Sequence, residues 1–363
     1  MNIVFRVDGS TDIGLGHVMR CLALAKQVNE RLDIIFLCQD LPRQVAQMIT
    51  DAGVTLLSLG DDEFLINSTS AAERVLSSEK QKQHARKCLD LLLEVLDGNI
   101  DLLVVDHYAL SAPFCRAMRV RCDNIAVVDD LANRAHDCDV LIDQNFYNKL
   151  DTRYKGLVPE HTHMLLGPQY ALLRKEFYQQ PTVHRQNNHL VVCFGGSDPE
   201  NLTSRTVDVL HTLFGQDYTA DIVVGGAYAN LDGLKEKLND HPKMTLHHNI
   251  SFLSQLMHHG SFMIGAGGTM HWERARTGIA GLVITIADNQ IETTRCLDER
   301  HCCIWLGSSD TVTDCQIRKA IEFALHSPQK IHKIAYNARI LVGEHQHPSF
   351  VMDEILNIIK RKS

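Results

Sequence analysis

A strand pattern that breaks at a glycine turn and runs directly into a helix occurs twice in this 363-residue chain. The first copy is Phe5-Arg6-Val7-Asp8-Gly9-Ser10-Thr11-Asp12-Ile13-Gly14-Leu15-Gly16-His17-Val18-Met19-Arg20-Cys21-Leu22. Asn2 to Val7 reads as a short apolar strand, and Gly14 and Gly16 make a tight turn. From His17 onward, Val18, Cys21, Leu22 and Ala25 recur at helical spacing. The second copy opens with Leu190-Val191-Val192-Cys193-Phe194 and turns at Gly195-Gly196-Ser197-Asp198-Pro199. A strand, a tight turn and a helix in that order, repeated, imply parallel sheet with right-handed crossovers.

The remaining periodicity extends both copies. In the first half, strands are expected at Ile34–Cys38, Val54–Leu59, Leu102–Asp106, Ile125–Asp130 and Val140–Asn145, with helical patterns over Leu41–Ala52, Ser70–Leu96 and Pro113–Arg121. In the second, strands are expected at Asp221–Gly226, Met244–His248 and Leu282–Ile286, and a strand with a glycine turn over Phe262–Thr269. The segment from Arg174 to Asn188 is polar and irregular, with Pro181 breaking it, and reads as a linker. The expected organisation is a domain over 1–175, a linker over 176–189, a second domain over 190–345, and a C-terminal helical segment, 346–363, packing back on the linker or the first domain. Both domains are Rossmann-like.

In open α/β sheets, ligands bind beyond the C-terminal ends of the strands. Arg6, Asp8, Ser10, Asp12, His17 and Arg20 crowd that end of the first strand. A turn at a helix N-terminus presents backbone N–H groups to anions. A neutral imidazole there can accept a proton, so His17 is the candidate general base beside an anion-binding turn. Asp106, His107 and Tyr108 end one buried strand, Asp129 and Asp130 another, and Asn145 a third. Which of Asp8, Asp106 and Asp129 orients the histidine or faces a ligand is open at this stage.

The second half offers two phosphate-cradling turns, Gly195-Gly196-Ser197-Asp198 and Gly265-Ala266-Gly267-Gly268-Thr269. Neither fits the P-loop pattern or a dinucleotide fingerprint. Glu273 follows the second turn at helical spacing and can bridge ribose hydroxyls. Asn289 and Gln290 supply amide donors and acceptors.

Composition narrows the class. A net charge of −8 argues against a broad nucleic-acid surface. Eleven scattered cysteines, with no C-x-x-C spacing, point to reduced thiols and a cytoplasmic chain. No apolar run reaches membrane-span length. His247-His248 and His258-His259 lack a metal-ligand pattern, so no metal and no cofactor are expected. The partner expected is a small molecule, with no nucleic acid and no membrane, and the chain is read as a monomer.

The second half, from Phe194 through Gly265–Glu273 to Asp288-Asn289-Gln290, resembles the nucleotide-sugar domain of GT-B glycosyltransferases such as the N-acetylglucosaminyltransferase that makes lipid II. The first half, by Phe5-Arg6-x-Asp8-x-Ser10-x-x-Ile13-Gly14-x-Gly16-His17-x-x-Arg20-Cys21-Leu22 with Val104–Tyr108 and Val128–Asp130, looks like the nucleotide-sugar hydrolases of pseudaminic acid biosynthesis, a likeness that runs over nearly the whole chain. This resemblance implies a GT-B fold, two Rossmann-like domains whose parallel sheets face a central cleft. It implies hydrolysis of UDP-2,4-diacetamido-2,4,6-trideoxy-β-L-altropyranose to UDP and free sugar, with inversion, in a route to glycosylated flagellin or surface polysaccharide. His17 would activate water, with Asp8 orienting it or the sugar. Gly14, Leu15 and Gly16 would form the turn, and Tyr108 and Asn145 would contact the sugar. Arg6 and Arg174 would sit at diphosphate or wall positions. Gly195, Gly196, Ser197, Gly267, Gly268, Thr269, Glu273, Asn289 and Gln290 would hold UDP. The alternative is a GT-B glycosyltransferase that passes a UDP-N-acetylhexosamine donor to an acceptor other than water. A binding protein that leaves the UDP-sugar intact is a third reading.

Overall fold

The computed structural model describes residues 1–9, 15–27, 32–39, 41–60, 75–213, 215–239, 241–343 and 347–361. The chain divides into two compact units: unit 1 is Met1–Asn145, Lys149–Arg174 and His347–Ser363, and unit 2 is Phe146–Asn148 and Lys175–Gln346. Each unit is a parallel α/β layer structure.

Unit 1 carries strands β1 (Asn2–Val7), β2 (Asp33–Cys38), β3 (Thr55–Ser58), β4 (Leu102–Asp106), β5 (Ile125–Val128), β6 (Val140–Asp143) and β7 (His163–Leu166). They form one sheet in the order β3-β2-β1-β4-β5-β6-β7, with every pairing parallel. Helices α1 (Gly16–Ala25), α2 (Arg43–Asp51), α3 (Ser78–Leu93) and α4 (Ala112–Met118) connect them. Both faces are covered, which is why the strands are near-continuously apolar. Ile3, Phe5 and Val7 pack on one face with Phe36 and Val104. Val4 packs on the other with Leu37, Leu103 and Val105.

Unit 2 carries β8 (His189–Cys193), α5 (Leu202–His211), β9 (Thr219–Val224), α6 (Leu231–Leu238), β10 (Met244–His248), α7 (Leu253–His259), β11 (Phe262–Gly265), α8 (Met270–Thr277), β12 (Ala280–Thr285), α9 (Ile291–Glu299), β13 (Ile304–Ser308), α10 (Asp314–His326) and α11 (Pro328–Leu341). Its sheet runs β10-β9-β8-β11-β12-β13. The last helix, α12 (Phe350–Lys360), belongs to unit 1. It buries Val351, Met352, Ile355 and Ile358 in the same cluster as Ile3 and Phe5. These positions recur at helical spacing, giving one apolar stripe that faces the sheet.

Sequence periodicity leaves out β7 and β13. Both are at sheet edges. β7 has only four residues, two of them exposed. β13 pairs with β12 across a register shift beside Val283 and Ile284. Of the helical pattern expected over Ser70–Leu96, Ser78–Leu93 is helical and is N-capped by the Ser77 side chain, which accepts from the Lys80 amide. Residues 70–74 lie outside the described residues.

In each sheet the strand order reverses at the middle pair, β1/β4 in unit 1 and β8/β11 in unit 2. Such a reversal opens a crevice at the strand ends, because the flanking connections leave toward opposite faces.

Candidate active site

Unit 1 places its chemistry at the β1/β4 reversal. The register pairs Val7 with Asp106, so α1, which follows β1, starts beside the end of β4. Leu15 is its N-cap and Gly16 its first residue. His17 is buried at 7% exposure, and its Nδ1–H donates to Asp106 Oδ1 at 2.5 Å. Arg20, one turn on, donates from Nε to Asp106 Oδ2 and from Nη2 to Oδ1, both at 2.6 Å. Its Nη1 also reaches Asp130 Oδ2 at 3.1 Å. Burial alone would raise the Asp106 carboxyl, but Arg20 and then His17 outweigh it and hold the group far below the usual carboxylate range. A carboxylate can only accept, so the proton between the two groups sits on Nδ1, and in the neutral imidazole Nε2 is then the acceptor nitrogen. Nε2 has no hydrogen-bond partner among the described residues. The Tyr108 ring stands edge-on to His17, centroids 4.5 Å apart, and its hydroxyl is hydrogen-bonded to Asp130.

The carboxylate on His17 is therefore Asp106. Asp8 makes a different set of bonds: Arg6 Nη1 and Nη2 donate to its two oxygens at 2.5 and 2.8 Å. His107 Nε2 lies 2.8 Å from Oδ2, and the Gln39 amide donates to Oδ1 at 2.8 Å. Burial opposes ionisation of Asp8, but Arg6 and His107 hold it well below the ordinary value. Arg6 is fully buried, its Nε donating to His84 Nε2 at 2.9 Å. Every guanidinium nitrogen of Arg6 is thus bonded inside the protein. His84 comes from α3 and carried no signal in sequence, because a lone histidine on a helix has none.

Asp129 and Asp143 form the next layer. Arg134 Nη1 is 2.9 Å from Asp129 Oδ1, and the Tyr154 hydroxyl lies 3.0 Å from Asp129 Oδ2 and 2.9 Å from Asp143 Oδ2. Asp143 is pushed up to about 7, first by burial, against the Asn145 amide that bonds its Oδ1, and further by Asp130. Asn145 is buried beside it and Arg174 is half-buried. Gly14, with Ser10 to Ile13, lies outside the described residues.

Unit 2 places glycine turns at its β8/β11 reversal. Gly195 has φ +102° and Gly268 φ +67°, conformations open to glycine. A Cβ on Gly265 would lie 2.1 Å from the Cys193 carbonyl oxygen, so the two turns leave adjacent strands in backbone contact. The amides of Gly196, Ser197, Gly268 and Met270 make no hydrogen bond among the described residues. The α5 amides are taken: the Asp198 carboxylate accepts from Leu202 and Thr203 at 3.0 and 2.8 Å. The phosphate-cradle reading gave that helix end to a ligand; a side chain occupies it instead.

A buried relay fixes the second turn. Arg274 Nη1 donates to the Ala266 carbonyl at 2.9 Å and Nη2 to His271 Nδ1 at 3.0 Å. His271 then carries its proton on Nε2 and donates to Thr294 Oγ1 at 2.9 Å, and Thr294 donates to the Gln290 carbonyl at 2.7 Å. Gln290 Oε1 accepts from the Ile286 amide at 3.1 Å, and its side chain packs against Gly267 and Gly268. So Gln290 shapes the turn. Thr269 is the N-cap of α8, Glu273 lies in that helix's first turn, and Asn289 lies in the short 3-10 turn before α9. All three are half-buried. Burial lowers Arg274 to about 10 and keeps His271 neutral.

No family model matches the chain. Over 204 residues it is 30% identical to the UDP-2,4-diacetamido-2,4,6-trideoxy-beta-L-altropyranose hydrolase of Campylobacter jejuni, covering 56% of this chain and 63% of that one. The match thus spans under two thirds of that relative's own length, and is narrower than the nearly whole-chain likeness of the motifs. The spore coat polysaccharide biosynthesis protein SpsG of Bacillus subtilis is 21% identical over 325 residues, 86% of each chain. The crystal structure of MurG from Acinetobacter baumannii superposes with a TM-score of 0.64 at 15% identity, over 98% of this chain and 99% of that one. The fold is GT-B. In sequence the chain resembles the altropyranose hydrolase. Among the described residues, no helix is long and apolar enough to cross a membrane.

Proposed function

We propose that this GT-B protein hydrolyses a UDP-linked diacetamido-trideoxy sugar, UDP-2,4-diacetamido-2,4,6-trideoxy-β-L-altropyranose, to UDP and the free sugar. The observation that carries the reading is the His17–Asp106 pair. Asp106 fixes the imidazole with Nδ1 protonated, so Nε2 takes a proton from water as that water attacks the anomeric carbon. The C1–O bond to UDP breaks as the new C1–O bond forms, which inverts the configuration. UDP leaves as a stable anion, so no dedicated acid is needed. Arg20 braces Asp106 and is a positioning residue. Tyr108 and Asn145 contact the sugar. The amides of Gly196, Ser197, Gly268 and Met270, which make no hydrogen bond among the described residues, bind the UDP moiety together with Gly195, Gly267, Thr269, Glu273 and Asn289, and such fixed donors stabilise the departing charge. Asp8 holds Arg6 and His107 in place. The similarity to the Campylobacter jejuni hydrolase supports the substrate class.

Incubation of the protein with this UDP-sugar in ¹⁸O-labelled water, followed by NMR, tests the reading. The label at C1 of the free sugar, with unlabelled UDP, is expected. Release of UDP only when an acceptor is added would move the chain to the transferase reading that its structural neighbours suggest. An intact substrate that stays bound would make it a binding protein.

A further inference from the structure

The unit 2 sheet carries polar residues on the face opposite its main core, at the end far from the glycine turns. His189 opens β8, and the register places it beside Thr219, with Asp221 beside Val191 and Thr245. His189, Asp221 and His247 therefore point to the same side. Leu190, Val192, Ala220 and Ile222 point into the opposite, apolar core. His189 and Asp221 are 5% and 6% exposed. His259, the last residue of α7, brings its ring to 4.5 Å from that of His189. One nitrogen from each histidine and one Asp221 oxygen all lie within 4.8 Å of one another.

We propose that His189, Asp221 and His259 form a divalent-metal site. Two imidazoles and a carboxylate are the donor set of borderline ions such as Zn²⁺. His189 Nε2 and Asp221 Oδ2 are 2.8 Å apart. A tetrahedral ion with bonds of about 2.0–2.2 Å needs its ligands roughly 3.3 Å apart, so a small outward movement admits it. The surroundings fit a metal's outer shell. His189 Nδ1 is 2.7 Å from Thr219 Oγ1, which accepts its proton when Nε2 is the ligand. His247 Nε2–H donates to Asp221 Oδ1 at 2.8 Å and orients the carboxylate. His259 is half-buried, and its ring nitrogens make no hydrogen bond among the described residues, which gives the ion an approach from solvent. Water completes the coordination. The ion ties the end of α7 to the starts of β8 and β9. It lies about 20 Å along β8 from the Gly195 turn, at ~3.3 Å per residue, and takes no part in the proposed hydrolysis.

The test is Zn²⁺ titration of the chelator-stripped full-length protein against a competing chromophoric chelator, with Co²⁺ absorption as a second readout. The chain has 20 histidines, so His326→Ala serves as a control for casual surface binding. Expected are one tight equivalent, an intense visible Co²⁺ band of tetrahedral type, and a raised melting temperature with Zn²⁺. His259→Ala, at a half-buried position, should keep its circular dichroism and weaken Zn²⁺ at least tenfold, whereas His326→Ala should not. Zn²⁺ binding unchanged in His259→Ala, or a Co²⁺ spectrum of the octahedral aqua type, overturns the site. Since the readouts are binding and spectra, failure here leaves the hydrolase reading untouched, and the reverse also holds.

Discussion

The two sheets share a strand order, yet they end in opposite materials. In unit 1 the strands end in charge: Asp8, Asp106, Asp129 and Asp143, each held by an arginine, a histidine or a tyrosine. In unit 2 they end in glycine: Gly195 after β8, Gly225 after β9 and Gly265 closing β11. A Cβ on Gly225 would lie 2.4 Å from the Gly196 carbonyl oxygen, so the absence of a side chain is what lets these turns touch. One crevice offers side chains with fixed protons, and the other offers backbone amides. A base must be a side chain whose proton position is set, whereas a diphosphate is well served by amides. On the proposed reading, the same fold serves two different chemical tasks.

The largest expected effect comes from breaking that division at its active end. His17→Ala should lower kcat for UDP-sugar hydrolysis by roughly 10²–10⁴-fold, the usual worth of a general base. KM should stay within a few-fold, because the amides of unit 2 are unchanged. Stopped assays of released UDP, with UDP binding by calorimetry, separate the two. An equal loss of UDP affinity would mean that His17 belongs to the binding set.

The second break compares the buried cations. Asp8→Ala would leave Arg6 charged, buried and without its carboxylate, at a cost of about 3–5 kcal/mol. Arg274 of unit 2 has no carboxylate salt bridge to lose among the described residues. Arg274→Met removes a desolvated charge and leaves Ala266 O and His271 Nδ1 unpaired, at about 1–3 kcal/mol. Urea unfolding of both variants ranks them. A costlier Arg274→Met would mean that the relay beneath the glycine turn, rather than the acid cluster, is the tighter structure.

The acids also predict pH dependence of opposite signs. Asp8 and Asp106 are depressed in the fold, so the stability they contribute is present above about pH 4, the unfolded value, and is lost as pH falls further. Asp143 is pushed up to about 7, so the fold favours its protonated form. Its contribution is full below about pH 4 and is lost as pH rises toward 7, because the native state then holds the extra proton. Asp143→Asn should flatten that decline without moving the acid limb. Unfolding free energies at several pH values check it, and a variant with the parental slope would acquit Asp143.

Much of this was legible in sequence because it is local. Strand, turn and helix follow one another within about twenty residues, and His17 falls at the helix start by spacing alone. What stayed hidden depends on lateral neighbours. Asp106 was one of three candidate partners for His17, and only the pairing of β1 with β4 selects it. His84, reaching Arg6 from α3, has no local mark. The Arg274–His271–Thr294 relay links two helices with hydrogen bonds, which leave no periodicity. The grouping of His189, Asp221 and His259 needs three elements at one end of a sheet, so histidines with no ligand spacing along the chain still converge.

The smallest expected effect tests whether the glycine unit is as purely a backbone device as it looks. Asp198 adopts φ +43° and caps α5 with its carboxylate. That side chain occupies amides that a diphosphate would otherwise seek, so on the proposed reading UDP is held by the turn itself and by α8. Asp198→Ala should then cost about 0.5–2 kcal/mol of stability, the range for a lost cap. UDP affinity should hold or rise slightly, because the freed α5 amides face an anion. A fall in affinity beyond about tenfold, with stability unchanged, would make Asp198 a ligand contact, and unit 2 would then use a strand-end acid as unit 1 does.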